Sequence, residues 1–301
     1  MTTVKKYLSL VKFSHTIFAM PFALIGFFLG WQAWSLMEPQ LANSGFYGFV
    51  TENGLWLKFI LVILCMVFAR SAAMGFNRYL DRHFDALNPR TAIREIPSGI
   101  IRANSALIFV IINSIAFVVT CWFINPLCFM LSFAALFVVL FYSYTKRFTA
   151  LCHLVLGLGL SLAPIGAYLA VTGRFNLLPL LFSFSVICWV SGFDIIYALQ
   201  DAGFDKENKL HSIPAWLGAK KALRVSEWLH ILSAVFVIFA GFYGKFGIFY
   251  WIGICVFAGM LIYQHSVVKY NDLRRVNLAF MTANGIASVV FAIFVLTDIF
   301  I

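Results

Sequence analysis

The chain is poor in charge: only 11% of its 301 residues are Asp, Glu, Lys or Arg, and just 12 residues are acidic. An ordinary soluble domain carries roughly a quarter charged residues, so a soluble globular fold is excluded. Metal-binding cysteine spacing is missing too. The six cysteines (Cys65, Cys121, Cys128, Cys152, Cys188 and Cys255) form no Cys-x-x-Cys pair and lie in or beside apolar runs. Such thiols read as buried, inert packing residues, and neither a structural zinc nor a disulfide framework is supported. There is no low-complexity tract and no polar stretch long enough for a separate soluble domain.

What the chain has instead is hydrocarbon. Its residues are 62% hydrophobic with a mean hydropathy of +0.92. Apolar runs recur at about 13–36, 56–76, 103–123, 126–143, 151–171, 177–200, 222–241, 248–268 and 277–299. About 20 such residues cross roughly 30 Å of hydrocarbon as a helix. A bilayer demands that backbone groups be satisfied internally, so each run is predicted to be helical. The expected fold is an all-α polytopic membrane protein with nine transmembrane helices. The narrowest division is Ile124-Asn125-Pro126, between the third and fourth runs.

The basic residues support the count. If loops alternate sides, 18 of the 22 Lys and Arg share the side of the N-terminus, including Lys5, Arg78, Arg94, Lys146, Lys206 and Arg275. Only Lys58, Arg174 and Lys245 face the other way, and Arg70 lies inside the second run. A miscounted helix would scramble this split, and the positive-inside rule places the basic side in the cytoplasm. The net charge of +10 then follows from topology, without nucleic-acid binding. The first run follows Lys5, Lys6 and Lys12 as a signal peptide would, but it is long and no small-x-small cleavage site follows it. A retained helix is expected. With no organelle transit peptide, the expected location is a bacterial cytoplasmic (inner) membrane.

The few acids are concentrated. One cluster reads Asn77, Asp81, Asp85; a second reads Asp194, Tyr197, Asp201, Asp205. On a helix, positions i, i+4 and i+8 drift by only about 80°, and i, i+7 and i+11 stay within roughly 40°. Each cluster is therefore a polar stripe at the end of an apolar run, and lipid would reject it. Close carboxylates repel unless a positive group holds them together. Oxygen-only ligands suit Mg2+, which is usually held by one or two carboxylates together with substrate phosphates. The alternative is a set of surface ion pairs with Arg78, Arg82 and Lys206. Each cluster precedes an Ile-Pro pair (Ile96-Pro97 and Ile213-Pro214) with Gly99 or Gly218 beyond it. The chain thus reads as one integral-membrane domain, 1–301, with two related halves at about 1–150 and 151–301 as a hypothesis.

Several basic groups stand near the acids. Arg70 precedes Asn77 by seven residues and points the same way; within an apolar run it needs an anion, either a substrate carboxylate or diphosphate or a nearby Asp. Tyr142, Lys146 and Arg147 close the fourth run, where the two cations serve either as positive-inside anchors or as diphosphate ligands. Lys12 and His15 share a face, with interfacial anchoring as the plainer role, and His83 and His211 read as solvated loop residues. Aromatics make up 18% of the chain, enough to line a tunnel for an apolar chain and to shield a carbocation, though composition does not pick which.

Together these residues resemble the UbiA superfamily of intramembrane prenyltransferases, whose Asn-x-x-x-Asp-x-x-x-Asp and Asp-x-x-Tyr-x-x-x-Asp-x-x-x-Asp motifs match Asn77…Asp85 and Asp194…Asp205. Arg70, the stretch Asn88 to Gly99 with Thr91, Arg94 and Pro97, and Tyr142-x-x-x-Lys146-Arg147 fit the same pattern. Gln200 and Leu210-His211-Ser212-Ile213-Pro214 resemble the 4-hydroxybenzoate polyprenyltransferase-like branch, some members of which are assigned to menaquinone synthesis. A Lys-Ser pair commonly stands at His211-Ser212 in the ubiquinone-pathway enzymes, so the aromatic acceptor stays open.

The resemblance implies nine helices around a central cavity with a cytoplasmic cap and a lateral opening for the prenyl tail. It implies Mg2+ on Asn77, Asp81, Asp85, Asp194, Asp201 and Asp205, a polyprenyl diphosphate donor, and an aromatic acceptor (a 4-hydroxybenzoate or a naphthoate) in quinone biosynthesis. Arg70, Arg94, Lys146 and Arg147 are the candidate diphosphate clamps, with Tyr142 and Tyr197 beside the substrate and Asp201 or Asp194 as the base. Two other readings stay open: a haem, chlorin or lipid-alcohol acceptor, and a transporter with an internal cation or phosphate site.

Overall fold

A computed structural model describes residues 3–11, 18–37 and 54–301. The short amphipathic helix α1 (Thr3–Leu10) precedes α2 (Met20–Met37). Then come α3 (Leu55–Leu80), the short α4 (Arg82–Leu87), α5 (Ala103–Ile124), α6 (Pro126–Thr145), α7 (Cys152–Thr172) and α8 (Leu177–Ala198). The short α9 (Ala202–Glu207) and α10 (Ile213–Leu217) lead to α11 (Ala219–Tyr243), α12 (Ile248–Val267) and α13 (Asn284–Phe300). Among the described residues, eight helices are long and apolar enough to cross a bilayer, and α2 is a shorter apolar helix, so the chain is an integral membrane protein. These nine match the nine apolar runs. The start of the first run and the Lys12–His15 group lie outside the described residues.

Local chemistry explains where the helices break. At the narrow division, Asn125 is extended and caps α6 by accepting from the Cys128 N–H at 2.8 Å, and Pro126 opens the helix where no amide donor is needed. Its Nδ2 also donates to the Leu169 carbonyl at 2.9 Å, tying this turn to the end of α7. α7 stops at Gly173, whose φ of 64° is available to glycine without strain. Ser212 caps α10 by accepting from Ala215 N–H.

Packing runs α3–α5–α6–α7–α8–α11–α12–α13, and α2 closes the arrangement by packing against both α7 and α13. The most enclosed helix is α8, whose Trp189 sits among Phe22, Phe193 and Phe257. Its indole N–H donates to Asn284 Oδ1 at 2.9 Å. Asn284 in turn donates to the Phe280 carbonyl at 3.0 Å, in the wide turn Leu278–Ala283 that leads into α13. The turn's misaligned carbonyls are thereby satisfied inside hydrocarbon.

The α2–α7 crossing is closer than any side chain permits. A Cβ on Gly26 would lie 2.0 Å from the Pro164 carbonyl oxygen, a backbone atom that cannot rotate away. Gly26→Val should therefore force these helices apart and cost about 1–3 kcal/mol, seen as a lower unfolding midpoint in detergent. A midpoint equal to that of the parent would mean that the crossing is looser than described.

Candidate active site

The two acidic stripes face one another. α3 ends at Leu80, Asp81 occupies the break, and Asp85 follows on α4; Asp194 is on α8, Asp201 in the short 3-10 turn 199–201, and Asp205 on α9. Neither stripe is one continuous helix, yet Asn77 and all five aspartates line a single cavity of about 620 Å3 at one end of the bundle. Arg70, Arg94, Tyr142, Lys146 and Tyr197 line it too, whereas Arg147 reaches Asp81 from outside the wall. The cavity floor is apolar, formed by Leu156, Leu160, Val190 and Phe193.

Each aspartate has a basic partner, and none of these is the Arg78, Arg82 or Lys206 of the surface ion-pair alternative. Arg94 Nη1 meets Asp85 Oδ1 at 2.6 Å. Arg147 Nη2 meets Asp81 Oδ1 at 2.9 Å and also donates to the Leu80 carbonyl at 3.2 Å. Lys146 Nζ meets Asp205 Oδ1 at 2.7 Å, and Ser212 Oγ donates to Oδ2 at 2.9 Å, so the fully buried Asp205 is held from both sides. Arg90 grips Asp201 with Nε at 2.9 Å and with Nη2 on the second oxygen, and its Nη1 donates to the Tyr197 hydroxyl at 3.0 Å. Asn88 Nδ2 adds a bond to Asp201 Oδ1 at 3.0 Å. The loop after the first motif thus reaches across to the second and joins the two.

The fifth partner is a histidine. His153, at the start of α7 and 3% exposed, places Nδ1 2.6 Å from Asp194 Oδ2. Its Nε2 accepts from the Ile213 N–H at 3.3 Å, so the neutral ring carries its proton on Nδ1 and donates it to the carboxylate. His153 is thereby a positioning residue for Asp194. His153→Ala should lower turnover by about 10–100-fold with substrate KM values little changed, and His153→Asn, which keeps a donor near Nδ1, should recover part of the loss. Equal turnover in all three proteins would show that Asp194 needs no such support.

Burial sets the charge states outside the spans. It pushes the Asp81 carboxyl above the ordinary range, against the opposing pull of Arg147. For Lys146, burial lowers the pKa, but the contact with Asp205 outweighs it and holds the ammonium above its usual value.

Sequence reasoning missed Arg90 and His153. Arg90 falls within the stretch that carries the resemblance, but its side chain's hydrogen-bond partners among the described residues, Tyr197 and Asp201, lie 107 and 111 positions further along the chain. His153 carried one weak signal, an imidazole opening an apolar run. His83 and His211 are exposed and outside the cavity lining, so both are solvated, but only His211 lies in a loop, His83 being on α4. Among the described residues no three His, Cys, Asp or Glu close around a metal by themselves. The aspartates ring a space that a larger, oxygen-rich ligand would share.

This geometry has known counterparts. Residues 19–286 match the UbiA prenyltransferase family. The chain belongs to that family. It is therefore an enzyme that transfers prenyl groups, and the transporter reading is set aside. A 4-hydroxybenzoate octaprenyltransferase of Tolumonas auensis is 28% identical over 262 residues, which is 87% of each chain. One from Francisella tularensis subsp. mediasiatica is 27% identical over 79% of this chain and 83% of its own length. Among solved structures, the apo form of a UbiA homologue from Aeropyrum pernix K1 superposes with a TM-score of 0.75, at 27% identity over 95% of this chain and 97% of that one. A UbiA homologue from Archaeoglobus fulgidus, bound to GPP and Mg2+, has the same fold, with a TM-score of 0.67 at 18% identity over 98% of this chain and all of that one.

Proposed function

We propose that this UbiA-family enzyme transfers a polyprenyl group from its diphosphate to an aromatic acceptor in quinone biosynthesis, with Mg2+ as cofactor. The observation that carries the reading is the convergence of both aspartate motifs and their basic partners on one cavity with an apolar floor. The names of the relatives, and the GPP and Mg2+ in the A. fulgidus homologue, point the same way.

The residues fit the metal. Hard, acceptor-only oxygens face the cavity, and the buried Asp85 Oδ2 has no hydrogen-bond partner among the described residues. Asn77, Asp81 and Asp85 on one side and Asp194, Asp201 and Asp205 on the other would hold Mg2+, which supplies electrostatic stabilisation to a leaving diphosphate.

The chain's own residues do the rest. Arg94, Lys146 and Arg147 stand beside the motifs as the clamps for phosphate oxygens, and Arg90 joins them. Arg70 is set in the wall without an ion pair among the described residues and receives a substrate anion. Phe193, Tyr197 and Phe280, whose rings pack at 5.5 Å (Phe193–Phe280) and 4.3 Å (Tyr197–Phe280), offer π faces to an allylic cation. Asp194, its second oxygen held by His153, removes the acceptor proton. The apolar floor keeps water from the cation. By the charge rule, this end of the bundle faces the cytoplasm of a bacterial inner membrane.

The test is membranes containing the enzyme, one labelled polyprenyl diphosphate, and separate aromatic acids, haem and a lipid alcohol. Label should move to an aromatic acid; transfer only to haem or the lipid alcohol would refute the acceptor class.

A further inference from the structure

Two charged side chains in the cavity have no part in the reaction described above. Arg78 is 5% exposed and Glu95 is 7% exposed, and both line the cavity. Arg78 makes no ion pair among the described residues, and its Nε is buried without a hydrogen-bond partner. Glu95 Oε1 accepts from the Ser9 hydroxyl of α1, while Oε2 is buried without a hydrogen-bond partner among the described residues. The two charges attract one another but do not close into a pair. An unpaired buried charge is costly, so opposite charges left apart at a cavity wall call for a third group between them. That group must give an anionic oxygen to Arg78 and an O–H to Glu95 Oε2.

We propose that Arg78 and Glu95 are specificity-determining residues that recognise the acceptor as a hydroxylated aromatic carboxylic acid, its carboxylate on Arg78 and a hydroxyl donating to Glu95. This rests on the aromatic-acceptor reading above. The unpartnered Glu95 oxygen argues for such a ligand over the diphosphate. Arg94, Asp85 and Glu95 all act on Arg78, but Arg94 and Asp85 pair with each other at 2.6 Å, which leaves Glu95 as the carboxylate near Arg78 with no basic partner among the described residues. An ionised diphosphate has no donor to give Glu95, whereas a monoanion carrying its own hydroxyl satisfies both partners. The basic partners Arg90, Arg94, Lys146 and Arg147 are each bound to an aspartate of the motifs. Because Ser9 holds Glu95, α1 forms part of the acceptor pocket.

The experiment uses the full-length enzyme, a labelled polyprenyl diphosphate, and whichever hydroxy acid the parent prenylates, beginning with 4-hydroxybenzoate and hydroxynaphthoates. The acid, its methyl ester and its methoxy analogue are also compared as competitive inhibitors. Arg78→Gln should raise the acceptor KM about 10–100-fold, leave the donor KM within about twofold, and erase the preference for acid over ester; Arg78→Lys should restore part of it. Glu95→Gln should keep that preference and weaken the one for hydroxyl over methoxy, which gives an independent reading if Arg78→Gln does not fold. Unchanged acceptor KM and unchanged discrimination in the variants, or a rise confined to the donor KM, would overturn the proposal while leaving aromatic transfer in place. A parent enzyme that prenylates no aromatic acid would overturn the underlying reading itself.

Discussion

Asp201→Asn and Asp81→Asn should each lose prenyl transfer by about 10³-fold or more while remaining folded. A loss of that size corresponds to about 4 kcal/mol of transition-state stabilisation, the scale of removing one strong electrostatic contact to a leaving anion. The substitution is nearly isosteric, so Asp201→Asn can still accept from Asn88 Nδ2 and Arg90 through its amide oxygen; what disappears is the charge. The folded state is checked by monodispersity and helicity in detergent, and activity by transfer of labelled prenyl. Turnover near the parent level in both variants would remove these carboxylates from the chemistry. Asp81 and Asp201 lie on opposite motifs, so a loss confined to one of them would show that only that motif works on the diphosphate.

The second large effect is metal dependence. EDTA should reduce transfer to background, and added Mg2+ should restore it. The pH dependence has a definite sign. Burial raises the Asp81 pKa, so as pH falls toward that value its carboxyl takes up a proton before an exposed Asp would. A metal needs the deprotonated form, so more Mg2+ should be required for half-maximal rate as pH is lowered. Asp81→Asn removes that titration along with its activity. A rate untouched by EDTA would sink the metal assignment, and a Mg2+ requirement that falls as pH is lowered would contradict the account of Asp81.

Much of this was readable before any coordinates. The nine apolar runs became nine helices because membrane-spanning backbone has few alternatives. The extended residue between α5 and α6 was marked by the pair Asn125-Pro126. The acidic stripes were found from spacing alone, since helical periodicity outlasts the one-residue break at Asp81.

The sequence could not show which cation each aspartate would meet. Arg90 and Asp201 are 111 residues apart, His153 and Asp194 are 41 apart, and no periodicity links either pair. Arg78 counted only as one of the 18 positive-inside charges or as a surface partner for the acids. The fold buries it in the cavity wall, where Arg94, Asp85 and Glu95 act on it. The helix α1 escaped notice because eight residues of mixed polarity carry too little signal, and what holds it lies elsewhere in the chain, in Glu95, Ile101, Ala106 and Phe109.

The most direct test of the central claim is a structure of the enzyme with Mg2+ and a prenyl thiodiphosphate that resists ionisation. The diphosphate should lie between Asp81 and Asp85 on one side and Asp201 and Asp205 on the other, metal-bridged, with its prenyl tail over Phe193 and Phe280. A diphosphate seated away from these aspartates, or engaged by one motif while the other stays bound to its own arginines and lysine, would contradict it.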